Sequence, residues 1–486
     1  MTKAALVAGE RRMAASEAEA RANRGARAFA RLGVGEGDRV AVALRNRLEF
    51  FEATAAAGRL MAPVVPVSWR AKADEVRYLT EDSGAALLLA EADGPDPGGG
   101  VPVLRVGEAY ESALAAESAD PLPGAPDPPY PDLRYYTSGT TGRPKRVERA
   151  ISPDPAVRAE GSRAYARSWD VDDPGGVHLV TGPLYHTAPC AYAHHARLLG
   201  QTVVVMERFD AEECLRLIES ERVTWTHMVP ITFVRILALP EAVRTRYDLS
   251  SIHRVLHAAA PCPVDVKRRI LELFPPGTVW EYYGMTEGLA TVISPEEWLR
   301  KPGSVGRAAP GLDVRVLDEE GRELDPGEVG LVYVSAPGGN RFEYAGAPAK
   351  TAEAWRGERF TVGDMGFLDE DGYLFLSDRK QDLIISGGAN VYPAEVEAVL
   401  FGHPAIADVA VIGVPDEEWG EAVKAVVEAR EPLDPGEVIA FCRERLAHYK
   451  CPRTVDVVEA LPRDPNGKLL KRELRERYWA GRERRI

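Results

Sequence analysis

The sequence predicts an α/β protein: a large N-terminal domain of layered α/β subdomains ending in a β-rich subdomain, then a small C-terminal α+β domain. Three observations predict it. Short apolar runs alternate with helical patterns along most of the chain. Between 302 and 333 the texture changes to short strands and turns. The length of 486 residues exceeds the roughly 250–300 residues that one core accommodates.

The N-terminal stretch 1–31 mixes Ala with Glu and Arg and reads as an amphipathic helix. It has no apolar segment of a signal peptide. Residues 39–44 (RVAVAL), 62–67 (APVVPV), 85–90 (AALLLA) and 202–206 (TVVVM) read as buried strands, each short, aliphatic and bounded by polar, Gly or Pro residues. Helical patterns cover 211–222 and 264–274. The Pro/Gly-rich stretches 92–102 and 120–131 hold neither helix nor central strand and read as surface loops. Asp318 to Gly321 is a turn between two alternating runs. A second hairpin ends at Arg379. Beyond it come a helix after Pro393, a strand DVAVIGV, a helix over 435–448 and a strand RTVDVVE. The expected division is therefore 1–380 and 381–486.

Composition narrows the function. Hydrophobic residues are 45% and charged residues 28%, which excludes a disordered or fibrous chain. A net charge of −14 argues against nucleic acid as a partner, though it leaves room for a local basic site. Five scattered cysteines, none with CxxC spacing, indicate neither a zinc site nor a disulfide framework. No run approaches the ~18–20 apolar residues that span a bilayer. The expectation is a cytoplasmic protein with no membrane span.

The most informative stretch is YYTSGTTGRPKRV, from Tyr135 to Val147. Thr137, Ser138, Gly139, Thr140, Thr141 and Gly142 supply close backbone approach and hydroxyl donors, and Lys145 adds positive charge. Such a loop can cradle a polyphosphate. It is not a P-loop, because Gly142 is followed by Arg-Pro-Lys rather than Lys-Ser/Thr.

The whole string resembles the phosphate loop of the adenylate-forming superfamily, which includes acyl-CoA synthetases, adenylation domains and luciferases. Arg146 stands where that family usually has Gly, a side chain that can stiffen the loop exit or add a phosphate contact. Further resemblances follow in order: PLYH ending in His186, AAAP with Ala259, Ala260 and Pro261, and EYYGMTE from Glu281 to Glu287. Then come FTVGD ending in Asp364, the Arg379 hinge region with GG at Gly387 and Gly388, and PRDPNGK ending in Lys468. The closest resemblance is to bacterial acyl-CoA synthetases of the fatty-acid and bile-acid ligase type.

The resemblance implies ATP- and Mg²⁺-dependent activation of a carboxylic acid to an acyl-adenylate, pyrophosphate release, and transfer to coenzyme A. It implies that the phosphate loop and Lys145 hold the phosphates, that Glu287 binds Mg²⁺, and that Thr286 bonds the α-phosphate. Tyr283 would stack on adenine, within a strip completed by Ala259, Ala260, Pro261, Glu281, Tyr282, Gly284 and Met285. Asp364 would accept the ribose hydroxyls and Arg379 would touch the ribose and α-phosphate. Lys468 is the main catalytic candidate, with His186, Thr286 and Lys145. The C-terminal domain would be mobile about Gln381, where the family usually has Lys or Asp, and Gly387 and Gly388 would admit coenzyme A. The acid pocket would comprise His186, Ala188, Tyr192, His227, Met228 and Tyr282. Tyr282, where aryl-acid enzymes often carry Gly, narrows one route, so either the acid is small or its chain runs past Ala188, Tyr192, His227 and Met228. His194 and His195, on different faces, read as structural.

Two alternatives stay open from sequence. One is an adenylating enzyme with another acceptor: a carrier-protein thiol, an amine or an inorganic nucleophile. The other is a non-catalytic nucleotide-binding protein, against which the complete set of Lys145, Glu287, Asp364 and Lys468 speaks. Sequence leaves monomer and homodimer equally open.

Overall fold

The structure is a computed structural model that describes residues 4–126, 131–137, 144–149, 152, 154–336, 341–463 and 469–480. The chain forms two compact units. One comprises Met1–Met228, Ala238–Leu256 and Asn340–Thr351; the other comprises Val229–Leu237, His257–Gly339 and Ala352–Ile486.

The first unit carries the α/β layers that the alternation predicts. Arg39–Ala43 pairs in parallel with Val64–Pro66 on one side and Ala85–Ala90 on the other, and Val103–Arg105 completes that sheet. These strands are short and aliphatic because both faces are covered. Val65, Val76 and Leu88 lie in the core on one side. A second run of strands has the order Trp225–Met228, Val177–Val180, Thr202–Val205, Ala4–Ala8 and Arg11–Ala14. All but the last pair are parallel. Helix Ala211–Ser220 begins where the Asp210 side chain accepts from the Glu213 amide at 2.9 Å.

The N-terminus departs from expectation. Residues 4–14 form a β-hairpin, Ala4–Ala8 and Arg11–Ala14, and only Ala15–Arg31 is helical. Gly9 takes a left-handed φ of +57° at the turn, and the parallel partner Thr202–Val205 overrides the helix propensity of the alanines.

The second unit holds the β-rich subdomain. Gly330–Ser335 pairs antiparallel with Val314–Leu317 on one side and with Asp364–Leu368 and Arg359–Phe360 on the other. Gly321, at φ +87°, closes the expected turn by donating to the Asp318 carbonyl at 3.1 Å. The C-terminal part builds its own sheet, Ala389–Val391, Ile384–Ser386, Gly420–Ala429 and Ile406–Asp416, with Thr454–Val458 added beside Gly420–Ala429. Helices Pro393–Leu400, Pro435–Arg443 and Lys471–Trp479 accompany this sheet. Val396, Val411, Val423 and Val438 form one core, and Ile412, Val426 and Leu474 another. The helix expected over 435–448 ends at Arg443, with a separate 3₁₀ turn at His448–Lys450. Among the described residues no helix is long and apolar enough to cross a membrane.

Candidate active site

The expected site residues fall into four groups, each within one unit. The first is the base of the phosphate loop. Tyr136–Thr137 runs antiparallel to Lys145–Arg149, with Tyr136 opposite Arg146 and Thr137 opposite Lys145. Residues Ser138, Gly139, Thr140, Thr141 and Gly142 lie outside the described residues. The arms are pinned: Tyr78 donates its hydroxyl to the Pro144 carbonyl at 2.9 Å. Arg146 is nearly buried, donating to Glu148 at 2.6 Å and to the Asp82 carbonyl at 3.1 Å. Burial opposes its charge, but Tyr136, Glu148 and Asp82 more than offset this and raise its pKa. These contacts tie Arg146 to the base of the loop.

The second group lies at the carboxyl ends of parallel strands, where ligands of α/β sheets bind. Buried Asn46 donates to the carbonyls of Gly182 (2.8 Å) and Met206 (3.0 Å) and accepts from the Leu184 amide (2.8 Å). That fixes the segment leading to His186, which stands immediately before helix Thr187–Leu198 with its amide donating to the Pro183 carbonyl at 3.1 Å. Tyr192, on this helix, stacks on His227 with centroids 5.4 Å apart. Its hydroxyl lies 3.1 Å from that of Tyr165. His195 meets both tyrosine rings edge-on, while His194 bonds the Cys190 carbonyl (2.8 Å) and the Thr54 hydroxyl (2.9 Å), a satisfied core histidine. Burial lowers His178 and His227 to about 3 and His195 to about 4, so this lining is neutral. Met228 is buried and Ala188 half-buried.

The third group is the nucleoside set. Val279–Met285 and Gly288–Ile293 form a hairpin whose tip is Thr286 and Glu287. Tyr283 donates its hydroxyl to Asp364 Oδ2 at 2.6 Å, and Arg379 Nε stands 3.1 Å from Oδ1. Asp364 and Arg379 face each other as the end pair of their two strands. Each oxygen of Asp364 keeps a lone pair for a ribose hydroxyl. Burial opposes the charge of Arg379, but Asp364, Asp382, Tyr283 and Glu287 hold its pKa above the ordinary value. Ala259 takes φ +77°, rare for a residue with a Cβ, and is exposed with Pro261, as a ligand-facing strip requires. Tyr282 is buried. Glu281, also expected in the nucleotide strip, turns its carboxylate to Lys267 at 2.8 Å. Burial pushes its carboxyl above the usual range, opposed by Lys267.

The fourth group is C-terminal. Gly387 and Gly388, at φ +58° and +81°, turn between Ile384–Ser386 and Ala389–Val391. A Cβ on Gly387 would lie 2.3 Å from the Trp419 ring, so only glycine fits. Arg453 stacks over Trp419 at 4.4 Å. Gln381 sits in the 3₁₀ turn Lys380–Asp382. Lys468 lies outside the described residues, but the ends of its loop are joined by the Arg463–Leu469 bridge and by the Leu470 amide donating to Pro462 at 2.8 Å. Asn46, Tyr165, His178 and Lys267 were absent from the sequence-derived set; none lies within its motifs.

Glu287, at the hairpin tip, is the carboxylate that would hold a magnesium ion. One carboxylate suits that ion, which takes most of its other ligands from substrate phosphates and water.

Comparison with known proteins follows the same lines. The AMP-binding enzyme family matches residues 1–341, and the AMP-binding enzyme C-terminal domain matches 395–468. A fatty acid–[acyl-carrier-protein] ligase of Streptomyces coeruleorubidus is 34% identical, over 96% of this chain and 91% of its own length. A long-chain-fatty-acid–CoA ligase of Mycobacterium tuberculosis is 35% identical, over 96% and 94%. The ATP-bound crystal structure of MatB from Rhodopseudomonas palustris superposes with a TM-score of 0.85 at 30% identity, covering 98% of this chain and 96% of that one.

Proposed function

The chain belongs to the AMP-binding enzyme family, and from that premise we propose that it is an AMP-forming acyl-CoA synthetase. It activates a carboxylic acid with ATP and passes the acyl group to coenzyme A. The observation that carries this reading is the Tyr283–Asp364–Arg379 arrangement, an aromatic ring, a carboxylate and a guanidinium set for adenine, ribose and α-phosphate.

The first step brings one anion against another. The acid's carboxylate oxygen attacks the α-phosphorus and pyrophosphate leaves with the electron pair of the broken P–O bond. Catalysis is then positioning and charge neutralisation. Thr137, Ser138, Gly139, Thr140, Thr141, Gly142 and Lys145 hold the phosphates, and Thr286 bonds the α-phosphate. Glu287 would hold Mg²⁺, which when bound would supply positive charge to neutralise the phosphates. Lys468 brings an ammonium to the oxygens where charge develops. His186 orients the acid carboxylate. In the second step the thiolate of coenzyme A attacks the acyl carbonyl and AMP leaves.

The functional division falls near Gln381, giving 1–380 for adenylation and 381–486 for the part that brings Lys468 and then the Gly387–Gly388 face to the site. A cytoplasmic location fits five free cysteines. The negative field of the chain plays no part in attracting its anionic substrates; that falls to Lys145, Arg379, Lys468 and the metal.

Pyrophosphate release with a panel of carboxylic acids, with and without coenzyme A, tests the reading. Acid-dependent release plus thioester formation is expected. Release without any thioester would point to a carrier protein or an amine as acceptor, as in the carrier-protein ligase relative. No release with any acid would overturn the assignment.

A further inference from the structure

One fully buried cation stands outside the contacts proposed above. Lys267 lies on helix Val264–Leu273 with no exposed side-chain surface. Its ammonium donates to Glu281 Oε2 at 2.8 Å and to His257 Nε2, and lies 5.3 Å from the centroid of the Trp298 ring. Glu281 is almost as deeply buried. Desolvating two charges is costly, and apolar side chains of the same volume commonly give equal or greater stability. Stability alone therefore gives no reason for an ion pair here.

Its placement does. His257 ends strand Arg254–His257 and immediately precedes the strip Ala258–Pro261. Glu281 lies two residues before Tyr283 on one strand, so both side chains leave the same face. Lys267 thus ties the strip to the strand of the adenine-stacking ring. The strip also contains the left-handed Ala259, and such a backbone persists only where its surroundings over-determine it. Phe233 packs edge-on against His257 at 5.1 Å and completes the enclosure.

We propose that Lys267 is a positioning residue for ATP: acting through His257 and Glu281, it sets the distance between the Ala258–Pro261 strip and Tyr283. The inference rests on the nucleotide reading of those residues given above.

The test is the double variant Lys267→Met/Glu281→Gln, which removes both charges while keeping volume. Pyrophosphate-release kinetics and thermal midpoint are read together. The expected result is a midpoint within a few degrees of wild type, a KM for ATP raised about tenfold or more, and kcat and the KM for the acid within about twofold. A folded double variant with a wild-type KM for ATP would show that the pair is only structural. Should the double variant fail to fold, His257→Phe keeps the ion pair and bulk but cuts the link to the strip. It should raise the KM for ATP likewise, and an unchanged KM overturns the proposal. Tyr283→Ala is run beside them. No change there strikes down the nucleotide reading and this inference with it. A raised KM in Tyr283→Ala with a normal one in the other variants refutes this inference alone.

Discussion

The hydroxyl of Tyr283 donates to Oδ2 of Asp364 at 2.6 Å, across 81 residues of sequence. One bond therefore fixes the ring proposed for adenine and the carboxylate proposed for ribose. Burial and the neighbouring Asp364 push the phenol pKa well above its ordinary value, so the hydroxyl remains a donor at any physiological pH. Tyr283→Phe keeps the stacking face and removes the bond. A hydrogen bond to a charged group contributes about 1.5–3 kcal/mol. The KM for ATP should rise roughly ten- to a hundredfold by that measure, with a smaller change in kcat. Steady-state pyrophosphate release at varied ATP checks it; an unchanged KM would remove this bond from substrate positioning.

Arg146 occupies the place where the family usually has glycine, and it is bound on several sides. It donates to Glu148, to the Asp82 carbonyl and to the Tyr136 hydroxyl, and lies over the Tyr136 ring at 5.9 Å. Arg146→Gly leaves a partly buried Glu148 with Arg134 as its one charged partner among the described residues and adds backbone freedom at the loop exit. The expected loss of stability is about 2 kcal/mol, built from one charged hydrogen bond and the glycine. Adenylation should slow without a change in the KM for the acid. Urea denaturation and pyrophosphate release measure the two effects; equal stability would mean that Arg146 does not hold the loop.

How much of this was legible follows the range of the interactions. Strands such as Ala85–Ala90 were visible because a local run of aliphatic residues implies burial on both faces. The N-terminal hairpin was hidden, because what makes Ala4–Ala8 a strand is Thr202–Val205, far along the chain. The site divides the same way. Tyr283 and Asp364 sit in recognisable motifs. Asn46 and Lys267 do not: Asn46 serves the His186 segment from 136 residues away, and Lys267 looks like any helix cation until the fold buries it.

The imidazoles around Tyr192 make an acid-sensitive lining. An unfolded histidine titrates near 6.5, whereas burial lowers His178 and His227 to about 3 and His195 to about 4. Below 6.5 the unfolded chain takes up protons that the folded protein refuses. The stability associated with these groups is therefore complete above about pH 6.5 and is lost as pH falls toward 4. Each histidine steepens the fall by up to about 1.4 kcal/mol per pH unit. His178→Phe should flatten it. Urea midpoints at pH 7.5 and pH 5 for both proteins decide the matter; an equal drop in the variant would show that His178 is not held neutral.

Gln381 lies in the 3₁₀ turn Lys380–Asp382, flanked by Asp378 and Asp382. Both carboxylates are held from one helix: Lys471 stands 3.7 Å from Asp378, and Arg475 donates to Asp382. If the turn is the pivot between the two half-reactions, fixing its φ should trap one of them. Gln381→Pro should form acyl-adenylate at near wild-type rate while thioester formation falls by at least a hundredfold. Single-turnover adenylate formation and thioester formation are followed separately. Survival of both half-reactions would move the pivot elsewhere.

Tyr282 is buried on the strand between Glu281 and Tyr283, opposite Val292 in the hairpin. Its side chain leaves the face opposite to theirs, so it can be shortened without touching the Tyr283–Asp364 bond. Truncating a buried aromatic costs about 3–5 kcal/mol and leaves room that an acyl group can fill. Tyr282→Gly should therefore lower the thermal midpoint yet raise kcat/KM for bulkier acids about tenfold relative to small ones. Because an aromatic ring leaves a space shaped for apolar volume, the gain should follow apolar volume rather than added charge: an aryl acid should benefit more than a dicarboxylate of similar length. Pyrophosphate release across a graded series of acids reads the ratio, and bound acid should recover part of the lost midpoint. A variant that folds but gains with no bulkier acid would mean that the ring does not bound the acid route.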